Sequence, residues 1–269
     1  MKTMKLIATM MTLSMLAAAF AGCLGGDDDD ETTTVKIGFL NPITGPLEPN
    51  APVFKWSADQ AIADLEEMYP DYNFELIEQD SGCDGAVAGP AAQTLVDSGV
   101  YAVVGAACSG ASMAANGVLS AAGIPQVSYA STSPALSDAT AYPSFYRVVP
   151  SDAFQGSVVA DVMVADMRDN VAVIHMTNAY GSGLADAFVA SMDAGHICTQ
   201  IGYDQTTTDF TSVVSTVVNE GCTSAMLVSY ASDGAALIEE MSLQGFSGAI
   251  YGADGIAEEG LSAGMADKS

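Results

Sequence analysis

Apolar positions along this chain alternate between two rhythms. Compact runs rich in Val and Ile lie near residues 35–40, 74–79, 101–104 and 125–128, and read as strands. The segments between them, near residues 53–69, 89–97 and 110–121, are longer and read as helices. A second series follows, with strands near 171–176, 197–203, 224–229 and 249–252 and helices near 183–192, 209–218 and 233–243. Alternating strand and helix implies parallel strands joined by right-handed crossovers, hence an α/β sheet with helices on both faces. Two series imply two lobes, 35–149 and 150–269. A helix near 152–167 links them, after an extended stretch at 145–149 and Pro150.

The N-terminus has a different pattern. Lys2 and Lys5 precede an apolar run from Leu6 to Gly22, then Ala21-Gly22-Cys23 and the acidic block Asp27-Asp28-Asp29-Asp30-Glu31. A basic start, an apolar segment and small residues predict a signal peptide over 1–22, because the run is shorter than the roughly 20 residues a membrane span needs. Cys23 directly after the small residues resembles a lipoprotein cleavage box, which predicts a lipidated thiol. A plain leader cut near Cys23 and a retained anchor are the alternatives. One acyl chain holds a membrane only marginally, so firm tethering calls for a diacylglycerol-like modification or a second signal. Residues 23–34 are then an acidic, disordered tether, since like charges repel and bury nothing. The expected location is extracytoplasmic, at the cell surface or in the periplasm, lipid-anchored to the membrane.

Composition narrows the function. Hydrophobic residues make up 49% of the chain, enough for a substantial core. The net charge is −26; without Lys2 and Lys5, five Lys and Arg face 33 Asp and Glu, about −28. Nucleic acid is excluded as a partner and phosphorylated ligands are disfavoured, because phosphate affinity comes from cations this chain lacks. The acidity reads as a solubility adaptation to salty surroundings rather than as cation binding. Setting Cys23 aside leaves Cys83, Cys108, Cys198 and Cys222, which allow three disulfide pairings. The strand layout favours Cys83 with Cys108, both after C-terminal strand ends, and Cys198 with Cys222, both at N-terminal ends. No CxxC spacing exists and the only histidines are His175 and His196, so no metal is expected. His175, at the end of an apolar strand, reads as a packed or rim histidine.

In open α/β sheets ligands collect beyond the carboxyl ends of the strands. That rule nominates the loops at 41–52, 106–110, 129–134 and 177–183, with 230–233 and Asp254 as further second-lobe candidates. Their hydroxyls, small residues, tyrosines and single acid suit a small polar ligand better than a cofactor.

Several of these loops carry a family pattern. The segments are Ile37-Gly38-Phe39 with Pro42-Ile43-Thr44-Gly45-Pro46, Val103-Val104-Gly105 through Cys108-Ser109, Ile124-Pro125 through Ala130-Ser131-Thr132-Ser133-Pro134, Phe145-Tyr146-Arg147, Tyr180-Gly181-Ser182-Gly183, and Asp209-Phe210. In order and spacing they resemble the type 1 periplasmic binding proteins, in particular the Leu/Ile/Val-binding group that serves ABC importers. The resemblance implies a two-lobed fold and a receptor that captures an amino acid, branched-chain or a related small zwitterion or amide, for a membrane permease. It implies that Ser109 holds the ligand's α-carboxylate, with the carbonyl of Ala130 and the hydroxyl of Thr132 on the head group. Tyr180 and Tyr230 would close over the ligand and Asp254 would pair with the ammonium, where the family often has Glu. The interval from Cys83 to Cys108 also looks like that group's first-lobe disulfide. Members generally continue past the region matching Ser269, so the resemblance implies an incomplete first lobe.

Physical chemistry offers plainer roles for the same residues. Ser109 and Thr132 are also read as helix caps, and the tyrosines as packing at the lobe edge. Met113 and Trp56 are named for the side-chain pocket, though both are expected in the core. A sensor module of the same fold, regulating a signalling partner, is the alternative function. An enzyme is not expected, with no catalytic residue and no cofactor. A serine hydrolase needs its nucleophile on a strand-to-helix elbow, and Gly181-Ser182-Gly183 is followed by Asp186, where an acid would repel pyrophosphate.

Overall fold

A computed structural model describes residues 33–258 and Leu261. The expected leader, Cys23 and most of the acidic tether lie outside the described residues. Two all-parallel sheets organise the chain. The first contains β1 (Thr33–Asn41), β2 (Tyr72–Asp80), β3 (Ala102–Val104), β4 (Gln126–Ser128) and β5 (Phe145–Arg147), in the spatial order β2-β1-β3-β4-β5. Its helices are α1 (Ala51–Met68), α2 (Gly85–Asp97) and α3 (Ser109–Ala121). The second sheet has the order β7-β6-β8-β9, from β6 (Val171–Met176), β7 (Ile197–Tyr203), β8 (Ser224–Val228) and β9 (Ala249–Gly252). Helix α4 (Asp152–Ala165) joins the two series, and α5 (Ala179–Ser191), α6 (Thr211–Asn219) and α7 (Ala231–Leu243) complete the second.

The central strands show why the apolar runs were legible. All six residues of β6 and all five of β8 are buried, as expected of parallel strands covered on both faces. In β1 burial is confined to the C-terminal half, Gly38 to Asn41, which leads to the nominated loops. One apolar cluster runs through both sheets. In each sheet the chain reverses its direction of winding beside the first strand, between β1 and β3 and between β6 and β8, and crevices form at such switch points.

The nine described strands fall where the pattern placed strands or extended chain, and α4 starts at residue 152 as expected, but two other helix starts do not. Both α2 and α5 begin four residues ahead of the apolar period. Their first turns, Gly85-Ala86-Val87-Ala88 and Ala179-Tyr180-Gly181-Ser182, consist mostly of small residues and are fixed by polar caps. Asp84 accepts from the N–H of Ala86 at 2.6 Å, and Asn178 from that of Gly181 at 2.8 Å. Gly181 is required there, because a Cβ would stand 2.2 Å from the carbonyl oxygen of Met176.

Cys83 is bonded to Cys108 and Cys198 to Cys222, with Cα separations of 5.1 and 5.7 Å. Trp56 is not in the core: it is 65% exposed. Phe54, Ala58 and Ala61 turn the inner face of α1 toward Phe39 and Tyr129, and Trp56, two residues from Phe54, falls on the opposite side. His175 is buried, with its ring Nδ1 2.9 Å from the Met176 carbonyl oxygen. No helix among the described residues is long and apolar enough to cross a membrane.

Candidate functional site

The carboxyl ends of both sheets face one cavity of about 130 Å³. Ser109, Ala130 and Thr132 reach it from the first sheet, and Tyr180, Tyr230 and Asp254 from the second. All six residues named from the sequence therefore meet in one space. Leu47, Phe54 and Glu258 line it as well, and no motif singled them out. Met113 lies elsewhere, in a groove shared with Ser133, Pro134 and Gly183.

The first-sheet wall is a hydrogen-bonded backbone framework. The Ser128 hydroxyl donates to the Ala106 carbonyl at 2.6 Å and accepts the N–H of Ser131 at 2.9 Å. Ser131 and Ser112 share a hydroxyl contact of 2.8 Å, and the Gln126 amide donates to Gly105 at 2.9 Å. Arg147 spans the far side, donating to the carbonyls of Thr132 and Ser133, both at 2.9 Å, and to the Ser137 hydroxyl at 2.6 Å. Ser112, Ser128, Ser131 and Gln126 of this framework are buried and Arg147 is half-buried; their bonds to the loop carbonyls fix Ala130 and Thr132 before any ligand arrives.

Ser109 opens α3 but does not cap it. The N-cap is Cys108, which makes no side-chain cap, and the Ser109 hydroxyl accepts the N–H of Ser133 at 3.1 Å. Its proton is free to donate. The first-turn N–H groups of α3 lie beside it, so hydroxyl, amides and helix dipole converge on a position suited to an anion. Nor does Thr132 cap the following turn, Pro134–Ser137, whose flanking residue is Ser133.

The second-sheet wall is aromatic and acidic. Tyr180 and Tyr230 stack at 5.7 Å with an interplanar angle of 15°. The Tyr180 hydroxyl donates to Asp254 at 2.6 Å and accepts the N–H of Gly255 at 3.0 Å. A side chain at position 255 would crowd this junction, since a Cβ would stand 2.7 Å from the Tyr180 hydroxyl. Tyr230 reaches across to the first lobe, its hydroxyl donating to Cys83 Sγ at 3.4 Å. Burial and the charge of Asp254 push both tyrosines' pKa values up, so each remains a neutral phenol.

Asp152 also escaped the sequence reading. It stands at the first position of α4, fully buried, beside the Thr132 hydroxyl and with no other hydrogen-bonding group on its carboxylate. Burial raises its pKa to about 7; the Thr132 hydroxyl and Arg147 pull it down, while Asp254 pushes it up. In the sequence it is indistinguishable from an acid placed to complement a helix dipole. Glu258 and Phe54 gave no signal because their spacing belongs to no motif.

Catalytic and metal arrangements find little support. The chain contains one Gly-x-Ser-x-Gly spacing, Gly260 to Gly264, most of it outside the described residues, and both histidines precede it. Among the described residues the grouping of metal-binding size is Cys198, Glu220 and Cys222, whose two sulfurs are committed to the disulfide.

Comparison with known proteins bears on this arrangement. A family model described as the receptor family ligand binding region matches residues 55–260. The Leu/Ile/Val-binding protein homolog 3 of Brucella melitensis is 29% identical over 229 residues, 83% of this chain and 62% of that protein. Metabotropic glutamate receptor 6 of Rattus norvegicus is 40% identical over 117 residues, 43% of this chain but 13% of the receptor. Among solved structures, the branched-chain amino acid transporter substrate binding protein LivJ of Streptococcus pneumoniae, in complex with isoleucine, superposes with a TM-score of 0.76 at 23% identity. That match covers 86% of this chain and 67% of LivJ, and the likeness is one of fold. The chain spans under two thirds of the length of its Brucella relative.

Proposed function

We propose, from the premise that this chain belongs to the receptor family ligand binding region family, that it is an extracytoplasmic solute-binding receptor. It captures an amino acid, branched-chain or a related small zwitterion or amide, between its two lobes and delivers it to the permease of an ABC importer. The observation that carries this reading is the meeting of six residues from two sheets on one cavity, donors on one wall and an acid on the other. A zwitterion needs both, because a charge removed from water opposes binding unless it is paired. The α-carboxylate would sit against Ser109, Thr132 and the first turn of α3, and the ammonium against Asp254 and the carbonyl of Ala130.

Binding shifts an open and closed equilibrium of the lobes and needs no covalent step. Signal peptide, lipidated Cys23 and membrane anchoring remain part of this proposal. Equilibrium titration of free amino acids and small amides tests it: saturable binding by at least one, weakened in Asp254→Asn, is expected. No binding by a cooperatively folded protein would overturn it. The local match to a metabotropic glutamate receptor favours a second reading, a sensor that signals occupancy to a partner. Ligand-dependent capture of a permease supports transport; capture of a signalling chain supports sensing.

A further inference from the structure

The cavity does not end at the head-group position. Phe54 and Glu258 line it and also line a wider opening of about 540 Å³, between the Pro46–Val53 stretch of the first lobe and Ala231 and Ser232 of α7. The inner space is small, so a long side chain on a ligand held by Ser109 and Asp254 leaves between Phe54 and Glu258.

The polar atoms at that exit accept hydrogen bonds or carry negative charge. The Glu258 carboxylate has no hydrogen bond or ion pair to any described residue. Asn50, on the facing wall, has its side-chain oxygen buried without a hydrogen-bond partner. The Ser232 hydroxyl donates to Asp233 at 3.2 Å, which leaves its oxygen to accept. The Phe54 ring is held in place against Tyr129, centroids 5.0 Å apart, and offers a π face.

No cation of the protein answers these groups. The Lys and Arg among the described residues are Lys36, Lys55, Arg147 and Arg168, and none lines either space. Each is occupied elsewhere: Lys36 with the Ser98 carbonyl, Lys55 with Asp59, Arg147 with the carbonyls behind Thr132, and Arg168 with the Tyr251 hydroxyl. The Tyr230 hydroxyl feels the charges of Asp254, Asp233, Asp152 and Glu258 together. A simple zwitterion brings one positive and one negative charge and leaves that field uncompensated.

Resting on the reading of the cavity as an amino-acid site, we infer that the ligand's side chain ends in a second cation, an ammonium or guanidinium, that passes Phe54 and is received by Glu258. The carboxylate supplies a charge-assisted acceptor with the Ser232 hydroxyl beside it, the ring adds a cation–π contact, and Leu47 with Phe54 covers the intervening methylenes. The site then prefers a basic α-amino acid to a branched-chain one.

Lysine and norleucine separate these cases, since they share four side-chain carbons and differ in the terminal ammonium. Calorimetric titration of the full chain at low salt should show lysine binding at least tenfold tighter than norleucine. In Glu258→Gln the ratio should fall below threefold, through a larger loss for lysine than for norleucine, with the unfolding midpoint unchanged. Norleucine binding as tightly as lysine, or a lysine preference untouched by Glu258→Gln, would overturn the inference. The diamine 1,5-diaminopentane isolates the outer site: its binding, lost in Glu258→Gln while no α-amino acid binds, supports the cationic site and overturns only the head-group reading. If no amino acid and no diamine binds, both fall.

Discussion

The two walls of the cavity are built on opposite plans. The first-sheet wall carries no acid on the cavity and is held by backbone: Ser128, Ser131, Gln126 and, from behind, the Arg147 cation lock the loops through the carbonyls of Gly105, Ala106, Thr132 and Ser133. The second-sheet wall is held by side chains, a tyrosine stack tied to Asp254, and carries the charge. A wall of satisfied amides has little freedom left, so it presents fixed donors. A wall of tyrosine hydroxyls and carboxylates responds to whatever positive group enters. On the proposed reading, that difference is what would send the ligand's two ends to two lobes.

The largest effect is expected at Asp152, where the walls meet. Its folded pKa of about 7 lies above an unfolded carboxyl near 3.9, so between those pH values the folded chain holds a proton that the unfolded chain has released. Stability therefore falls by about 1.4 kcal/mol per unit as pH rises from about 4 to about 7, then stays low. Asp152→Asn should abolish that fall and raise stability at pH 8 by up to about 4 kcal/mol, with little change at pH 4, read by thermal unfolding without ligand.

A smaller loss is expected from breaking the first-sheet wall. Ser128→Ala leaves the buried Ser131 N–H without its acceptor, while the Ala106 carbonyl keeps the hydroxyls of Ser112 and Ser131, and should cost about 1–3 kcal/mol in chemical denaturation. Ser109→Ala and Thr132→Ala should each weaken amino-acid binding roughly tenfold or more, at about 1.5–3 kcal/mol per hydrogen bond to a charge, and Ser109→Ala should also lower the unfolding midpoint, because the buried Ser133 N–H loses its acceptor. Equal affinity in both variants would remove the carboxylate from this wall. The smallest effect is expected for Tyr230→Phe, which loses a hydroxyl contact to sulfur at 3.4 Å. It should change stability and affinity by under about 0.5 kcal/mol, because stacking on Tyr180 is retained.

The same contrast governs what could be read from sequence. Strands such as β6 and β8 were visible because continuous burial demands unbroken apolar residues. The first turns of α2 and α5 were invisible because Gly, Ala and Ser there answer to Asp84, Asn178 and a close backbone approach, none of which has a period. The six residues that meet at the cavity were named through the family resemblance, Ser109, Ala130, Thr132 and Tyr180 from its loop motifs and Tyr230 and Asp254 from their places after strands. Asp152 was not, since only its burial, absent from any local pattern, distinguishes it from a helix-capping acid. Phe54 and Glu258 meet only after the lobes are assembled. Trp56 misled because an aromatic residue on a helix suggests core, and here it sits on the solvent face.

The central claim, that the first-sheet wall reads the carboxylate, is tested most directly by measuring an amino acid and its α-carboxamide against the wild-type chain and the Ser109→Ala/Thr132→Ala variant. Converting carboxylate to amide should cost at least tenfold in affinity in the wild type and less than threefold in the variant, because the lost interaction is already absent there. The same penalty in both proteins would place the carboxylate elsewhere and contradict the account.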